Sequence, residues 1–494
     1  MKITNFLNGK RNTIYLLIAS FLAVGIYLLY SLLFFRIGFP LDDAWIHQTF
    51  ARNLIQFGQW AYSPGQPTSG STSPFWTLLL SISYLLNVGP YIWTFLSNTL
   101  LLFALGLVGE KLARKTSASY SPAFPIIGIF LIFEWHFTWA ATSGMETVLF
   151  TLIGIISFWL GLSDLEWRWL LAGCLVGLAI WVRPEGITFL GVLTWFLIFT
   201  SPARRKILIN LAFLLGGVLI FAVPYVILNR SLSGMIFPNT FLAKQTEYAI
   251  LLQQNIFLRL WNLFKLPFSG VGIILLPGFI YQIIQFVKHK EWRSLGIVIW
   301  FLGFILIYVL RLPVTYQNGR YLIPTMAIPI VFGGVGTFGL LERIRPSRFG
   351  FVLEKVWRWS IYGILAVFFL AGARTYAFDV AIIETEMVDT SKWIAENTPP
   401  GSLIAAHDIG ALGFFGNRPI LDLAGLVTPE VIPFIRDESL LDAYIHEKGA
   451  DYLMTFPDWY PELVRGKALI YSSNGKYSPE AGGTNMQVFK INTP

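Results

Sequence analysis

Eleven apolar runs, at 13–35, 90–112, 122–139, 147–162, 169–182, 187–199, 207–228, 268–287, 295–310, 321–341 and 357–376, divide most of this chain. A helix needs about 20 apolar residues to cross a bilayer core, and inside it a spanning segment must satisfy every backbone N–H and C=O internally. The runs predict an all-α polytopic membrane bundle of about eleven transmembrane helices. Charge agrees: 13% of the 494 residues are charged and 55% are hydrophobic, whereas about a quarter of an average soluble domain is charged. The first run follows Lys2, Lys10 and Arg11 but is too long for the apolar core of a signal peptide. No internal repeat is evident, which counts against repeat-built transporters.

The net charge of +8 does not indicate nucleic acid, because Lys and Arg fall in short clusters between apolar runs, as orientation signals do. With the N-terminus in the cytoplasm, "KLARK" (111–115), "RRK" (204–206), "KHKEWR" (288–293) and "RIRPSR" (343–348) all lie on the cytoplasmic side of a cytoplasmic (inner) membrane. That agreement requires an odd number of crossings between Ser73 and Lys111. The short segment 74–86, followed by Gly89-Pro90, is therefore expected to be an interfacial helix or the first part of a broken one. Cys174 is the only cysteine, which excludes an intrachain disulfide and a thiolate metal site.

Residues 1–378 thus form a membrane domain, and 379–494, of ordinary polarity, an extracytoplasmic α/β domain. Its expected strands are the buried one opening 402–415, followed by a Gly-punctuated turn, and those in 451–457 and 486–491.

On the expected outer face, "FPLDDAWIHQTFARN" sets Asp42 and Asp43 at the start of a helix over 43–57, with Ile46, Phe50, Leu54 and Phe57 at helical spacing and Gly58 as its stop. An amphipathic helix on the membrane surface follows, with His47, Gln48, Arg52, Asn53 and Gln56 towards water. Helix capping explains one Asp and does not need two. Glu146 in "SGMETVLF", Arg183 in "VRPEGI", Asn239 and Lys244 in "PNTFLAK", and Arg320 and Tyr321 in "GRYLIP" share that face. Each alone reads as a cap or an interfacial anchor. Together they frame a polar site at the membrane boundary.

In order, "LDDAWIHQTFARNL", "SPGQPTSGSTSPFWTLLL", "SGMETVLF", "VRPEGI", "PNTFLAK" and "GRYLIP", with "HDIGALGFFGNRPILDLAGL" near the C-terminus, resemble the GT-C superfamily of membrane glycosyltransferases, most closely the bacterial branch with mycobacterial terminal arabinofuranosyltransferases. The resemblance implies a bundle with its active site on the outer face, a polyprenyl-phosphate-linked sugar donor, pentose or hexose, and a glycan, lipid or protein acceptor in cell-envelope biogenesis. It assigns Asp42 as catalytic base with Asp43 supporting it. No WWDYG-like segment is present, which disfavours the oligosaccharyltransferase branch.

Such a transfer needs a base for the acceptor hydroxyl and cations for the departing phosphate. By analogy with inverting glycosidases it proceeds in one displacement with inversion. Lys244, Arg320 and Arg183 are the expected phosphate ligands, Glu146 a hydroxyl ligand, and Asn239, Tyr321 and His47 further binding residues, His47 with a minor role. A divalent cation on Asp42 and Asp43 stays open as an alternative. A nucleotide-sugar enzyme is disfavoured, since no Gly-rich phosphate loop follows a strand. The rival reading is a transporter or lipid flippase with an outer sensor or binding domain, for which Glu134 and His136 are the main intramembrane candidates. His407, Asp408 and Asp422 divide between acceptor binding and turn roles.

Overall fold

The computed structural model describes residues 2–117, 120–165, 167–200 and 203–491, with side chains from residue 10 onward. Met1 and 492–494, at the outer ends of the two expected domains, lie outside the described residues. Among the described residues, seven helices are long and apolar enough to cross a membrane: Lys10–Phe34, Pro90–Thr116, Arg204–Ser233, Val271–Lys288, Trp292–Arg311, Ile323–Ile344 and Arg348–Asn397. The runs at 147–162, 169–182 and 187–199 become the shorter apolar helices Thr147–Leu162, Arg168–Val182 and Pro184–Ile198. The run at 122–139 splits into Ile126–Phe133 and Trp135–Thr142, because Glu134 between them takes an extended backbone (ψ 122°) and its carboxylate accepts the His136 N–H. The chain is a multi-pass membrane protein.

Because lipid supplies no hydrophobic drive between helices, close packing of small residues does much of the holding. A Cβ on Gly173 would lie 2.1 Å from the Leu214 carbonyl oxygen, and one on Gly217 2.3 Å from that of Leu170, so these two helices touch backbone to backbone. Gly278 and Gly336 do the same for Val271–Lys288 and Ile323–Ile344. The four basic clusters flank one end of the helices. Asp42, Glu146, Arg183, Lys244 and Arg320 flank the opposite ends.

The helix Asp43–Phe57 ends at Gly58 in the left-handed conformation (φ 66°), and Pro74–Leu85 is a short helix, both as expected. The water-facing side expected for Asp43–Phe57 is a correction: His47, Gln48 and Asn53 are buried. Pro74–Leu85 and the C-terminal helix Gly410–Phe415 pack on it, and its polar groups bond inside the protein. Gln48 donates to Thr94 Oγ1 (2.9 Å) and accepts from Tyr84 (2.8 Å), Asn53 donates to the Tyr62 carbonyl (2.7 Å), and Arg52 to that of Phe414 (2.8 Å).

Arg348–Ile383 runs on through Glu384–Val388 into Asp389–Asn397, so one helix enters the C-terminal domain. That domain is a five-stranded mixed sheet in the order Ile420–Asp422, Ile404–Ala406, Tyr452–Thr455, Gln487–Lys490, Ala468–Ser472, the first three parallel and the last two antiparallel to their neighbours. The Gly-punctuated turn expected after Ile404–Ala406 is instead the helix Gly410–Phe415.

Candidate active site

Asp42 and Asp43 are adjacent in sequence but engage different partners. Asp42 occupies the N-cap position of its helix, yet its side chain makes no capping bond. It reaches across to the C-terminal domain, where Oδ2 accepts the Gly410 N–H (2.6 Å) and Oδ1 the Ala411 N–H (2.7 Å). Burial and the neighbouring Asp408 charge push its carboxyl up to about 8, against the pull of those two N–H groups. Asp43, 26% exposed, accepts through Oδ2 from Arg320 Nη2 (2.6 Å) and Lys244 Nζ (3.3 Å). Burial alone would raise its carboxyl, but the two cations hold it well below the usual carboxylate range. Its Oδ1 accepts no hydrogen bond among the described residues.

Arg320 and Lys244 line a cavity of about 360 Å³ together with Glu146, Arg183, Thr240, Tyr308, Arg311 and Tyr321. The Tyr321 ring gathers three cations, with Arg320 at 5.1 Å, Arg183 at 5.3 Å and Lys244 at 5.8 Å from its centroid. Arg183 also touches Tyr308 Oη (3.2 Å), and Tyr308 donates to Glu185 (2.5 Å). Counting Arg183, Lys244, Arg311 and Arg320 against Glu146, Glu185 and the bonded Asp43 leaves one positive charge in excess, the complement of a phosphodiester. Four buried polar atoms here lack a hydrogen-bond partner among the described residues: Arg320 Nε and Nη1, Glu146 Oε2 and Thr240 Oγ1. Such groups are costly to leave unmade.

Arg320 is aimed by an unusual loop. Gln317, Asn318 and Gly319 are all left-handed (φ 53°, 58° and 64°), and a non-Gly residue so placed costs about 1–3 kcal/mol. Asn318 Nδ2 donates to Asp379 Oδ2 (3.1 Å), which also accepts the Trp139 indole N–H (3.0 Å). The long helix leading to the C-terminal domain thereby braces the loop that carries Arg320.

Of the expected site residues, Glu146, Arg183, Lys244, Arg320 and Tyr321 meet at this cavity, and Asp43 stands behind two of its cations. His47 is buried behind it, with Nε2 3.8 Å from Glu146 and Nδ1 3.1 Å from Thr77 Oγ1, and burial pushes its imidazole down towards the neutral form. Asn239 lines a neighbouring cavity instead. Tyr308 went unforeseen, since an aromatic inside an apolar run reads as core. Asp422 organises a turn, accepting the N–H groups of Ala424, Val427 and Thr428. His407 bridges Tyr460 Oη (2.6 Å) and Glu247 (3.4 Å), and Glu247 shares a helix with Lys244.

The donors present fit a divalent cation poorly. Asp42 and Asp43 direct their bonded oxygens to N–H and cationic donors, and among the described residues no group of three His, Cys, Asp or Glu is gathered as a metal shell. Glu134 and His136 pair with each other (2.9 Å) and are buried at the helix break. They cap a helix rather than line a path.

Residues 379–489 match a family described as a domain of unknown function, DUF8728. No curated protein matches the sequence. Among solved structures the chain is similar to ArnT from Cupriavidus metallidurans bound to undecaprenyl phosphate (TM-score 0.61, 14% identity, 97% of this chain and 98% of that one). It is also similar to the apo oligosaccharyltransferase of Archaeoglobus fulgidus (TM-score 0.65, 12% identity, 90% of this chain and 70% of that one). The mycobacterial arabinofuranosyltransferase AftD is matched at TM-score 0.49 and 14% identity, over 96% of this chain and 41% of its own length. The chain has the GT-C membrane fold.

Proposed function

We propose that this chain is a membrane glycosyltransferase that moves a pentose or hexose from a polyprenyl-phosphate carrier to an acceptor hydroxyl. The observation that carries the reading is the pair of unpartnered, buried donors on Arg320, beside Lys244, in the wall of a cavity at the end of a membrane bundle. A phosphate there accepts both N–H groups and answers the excess positive charge. The fold shared with ArnT, whose structure holds undecaprenyl phosphate, supports the same ligand class here.

In the transfer, the acceptor oxygen forms a bond to the anomeric carbon while the bond from that carbon to the phosphate oxygen breaks. The electron pair leaves with the polyprenyl phosphate, and Arg320 and Lys244 offset the charge it gains. The acceptor proton passes to a carboxylate. Asp43 suits that role better than Asp42, because it touches the phosphate cations and keeps one oxygen unbonded, whereas both oxygens of Asp42 are bonded to the C-terminal domain. We therefore assign Asp43 as base and Asp42 as the residue that docks that domain. Attack opposite the phosphate inverts the anomeric centre. Glu146, with one oxygen unpartnered, holds a sugar hydroxyl. The basic clusters at the far helix ends support an active site on the extracytoplasmic face.

Binding of undecaprenyl phosphate to the purified protein in nanodiscs tests the donor site. Arg320→Ala and Lys244→Ala should each weaken it at least about tenfold, the loss of about 1.4 kcal/mol. Unchanged affinity in both would refute the phosphate assignment.

A further inference from the structure

Adjoining the charged cavity is a second one of about 240 Å³ whose lining carries no charged side chain. Its polar groups come from Ser63, Gln66, Thr68, Ser233, Asn239 and Thr428. One wall is the hairpin that follows Asp43–Phe57, and the facing wall belongs to the C-terminal domain.

Two adjacent residues separate the cavities, since Asn239 lines this one and Thr240 the charged one. On the loop between Thr68 and Thr72 the same division recurs, Thr68 facing the second cavity and Thr72 the first. Gly70 lets that loop lie flat on the C-terminal domain, because a Cβ there would be 2.6 Å from Val427 Cγ1 and 2.9 Å from the Leu426 carbonyl oxygen. Asp422, through its three N–H bonds, shapes the turn that presents Val427 and Thr428.

Asn239 is 1% exposed; its Oδ1 accepts from Ser69 (3.2 Å), and its Nδ2 has no partner. Thr240 Oγ1, next to it, is also unpartnered. A phosphate or carboxylate would find no cation in this cavity, and an alkyl chain would leave the Asn239 amide unsatisfied. A polyhydroxyl supplies both acceptors and donors.

We propose that the second cavity is the acceptor subsite and takes an uncharged sugar residue, so that the acceptor is a neutral glycan chain and the C-terminal domain forms one wall of its site. The proposal rests on the glycosyltransferase reading. The segments 68–72 and 239–240 contribute to the linings of both cavities, so an acceptor seated here shares two walls with the donor site.

The test uses full-length protein with labelled pentose or hexose on undecaprenyl phosphate, and a cell-envelope extract fractionated after reaction into lipid, protein, charged polysaccharide and neutral polysaccharide. Gln66→Trp fills the cavity from an exposed position, and Asn239→Ala removes the unpartnered amide. Label from the wild type should enter the neutral polysaccharide. At low acceptor concentration both variants should lose at least about tenfold in transfer, while undecaprenyl phosphate binding by Gln66→Trp stays within about twofold of the wild type. Label in another fraction, or full transfer by both variants, overturns the proposal. Absence of transfer by the wild type from every donor brings down the glycosyltransferase reading and this inference with it.

Discussion

Replacing Asp43 by Asn separates catalysis from donor binding. The amide keeps the side chain's size but removes the charge that Arg320 (2.6 Å) and Lys244 (3.3 Å) share. A hydrogen bond to a charged group contributes about 1.5–3 kcal/mol. Because Asp43 is 26% exposed, solvent screening reduces the cost in folded stability to about 1–2 kcal/mol. The two cations are then free of their competitor, so donor affinity should hold or rise by about fivefold, roughly 1 kcal/mol. With the proton acceptor gone, kcat should fall by about 10²–10⁴-fold. Single-turnover transfer from a labelled polyprenyl-phosphate sugar reads kcat, and binding of undecaprenyl phosphate reads the donor site. A folded Asp43→Asn protein whose kcat stays within about tenfold of the wild type would refute the assignment of the base.

Asp42→Asn should act on docking rather than donor binding: an NH2 replaces one of the two oxygens that accept the Gly410 and Ala411 N–H groups and sets donor against donor, which should destabilise the C-terminal domain's contact by about 2 kcal/mol, seen as faster hydrogen exchange over 404–415 with undecaprenyl phosphate affinity unchanged. Burial opposes ionisation of Tyr321, but Arg320 and Lys244 bring its hydroxyl down to about 8. A lowered folded value means the phenolate is favoured above pH 8 and absent well below it, so donor binding should weaken as pH rises through 8, and Tyr321→Phe should abolish that alkaline fall. Asp379→Ala frees Asn318 and lets the left-handed loop before Arg320 relax, which should raise the donor KM about tenfold with kcat little changed. An equal effect on the wild type and on Arg320→Ala would show that Asp379 does not act through Arg320.

The membrane bundle was legible because a bilayer demands long apolar runs, and the runs cannot be hidden by tertiary context. Asp43–Phe57 was legible to the residue, since Pro40 bars an earlier start and Gly58 offers the left-handed stop. Its surroundings were not. A polar helix face looks the same in sequence whether water or Thr94, Tyr84 and Tyr62 satisfies it. Five of the expected binding residues converge on one cavity because each stands where a helix ends on the same face. The division between Asp42 and Asp43 depends on Gly410, 368 residues away, and no local pattern encodes such a contact. The strands Ile420–Asp422 and Ala468–Ser472 went unforeseen because three to five residues carry little alternation.

The most direct test is transfer itself: purified wild type, Asp42→Asn and Asp43→Asn, each given labelled pentose and hexose donors on undecaprenyl phosphate with a cell-envelope acceptor extract. The account predicts transfer by the wild type, reduced transfer by Asp42→Asn, and none above background by Asp43→Asn although that variant still binds undecaprenyl phosphate. No transfer by folded wild type from any donor, or undiminished transfer by Asp43→Asn, would contradict it.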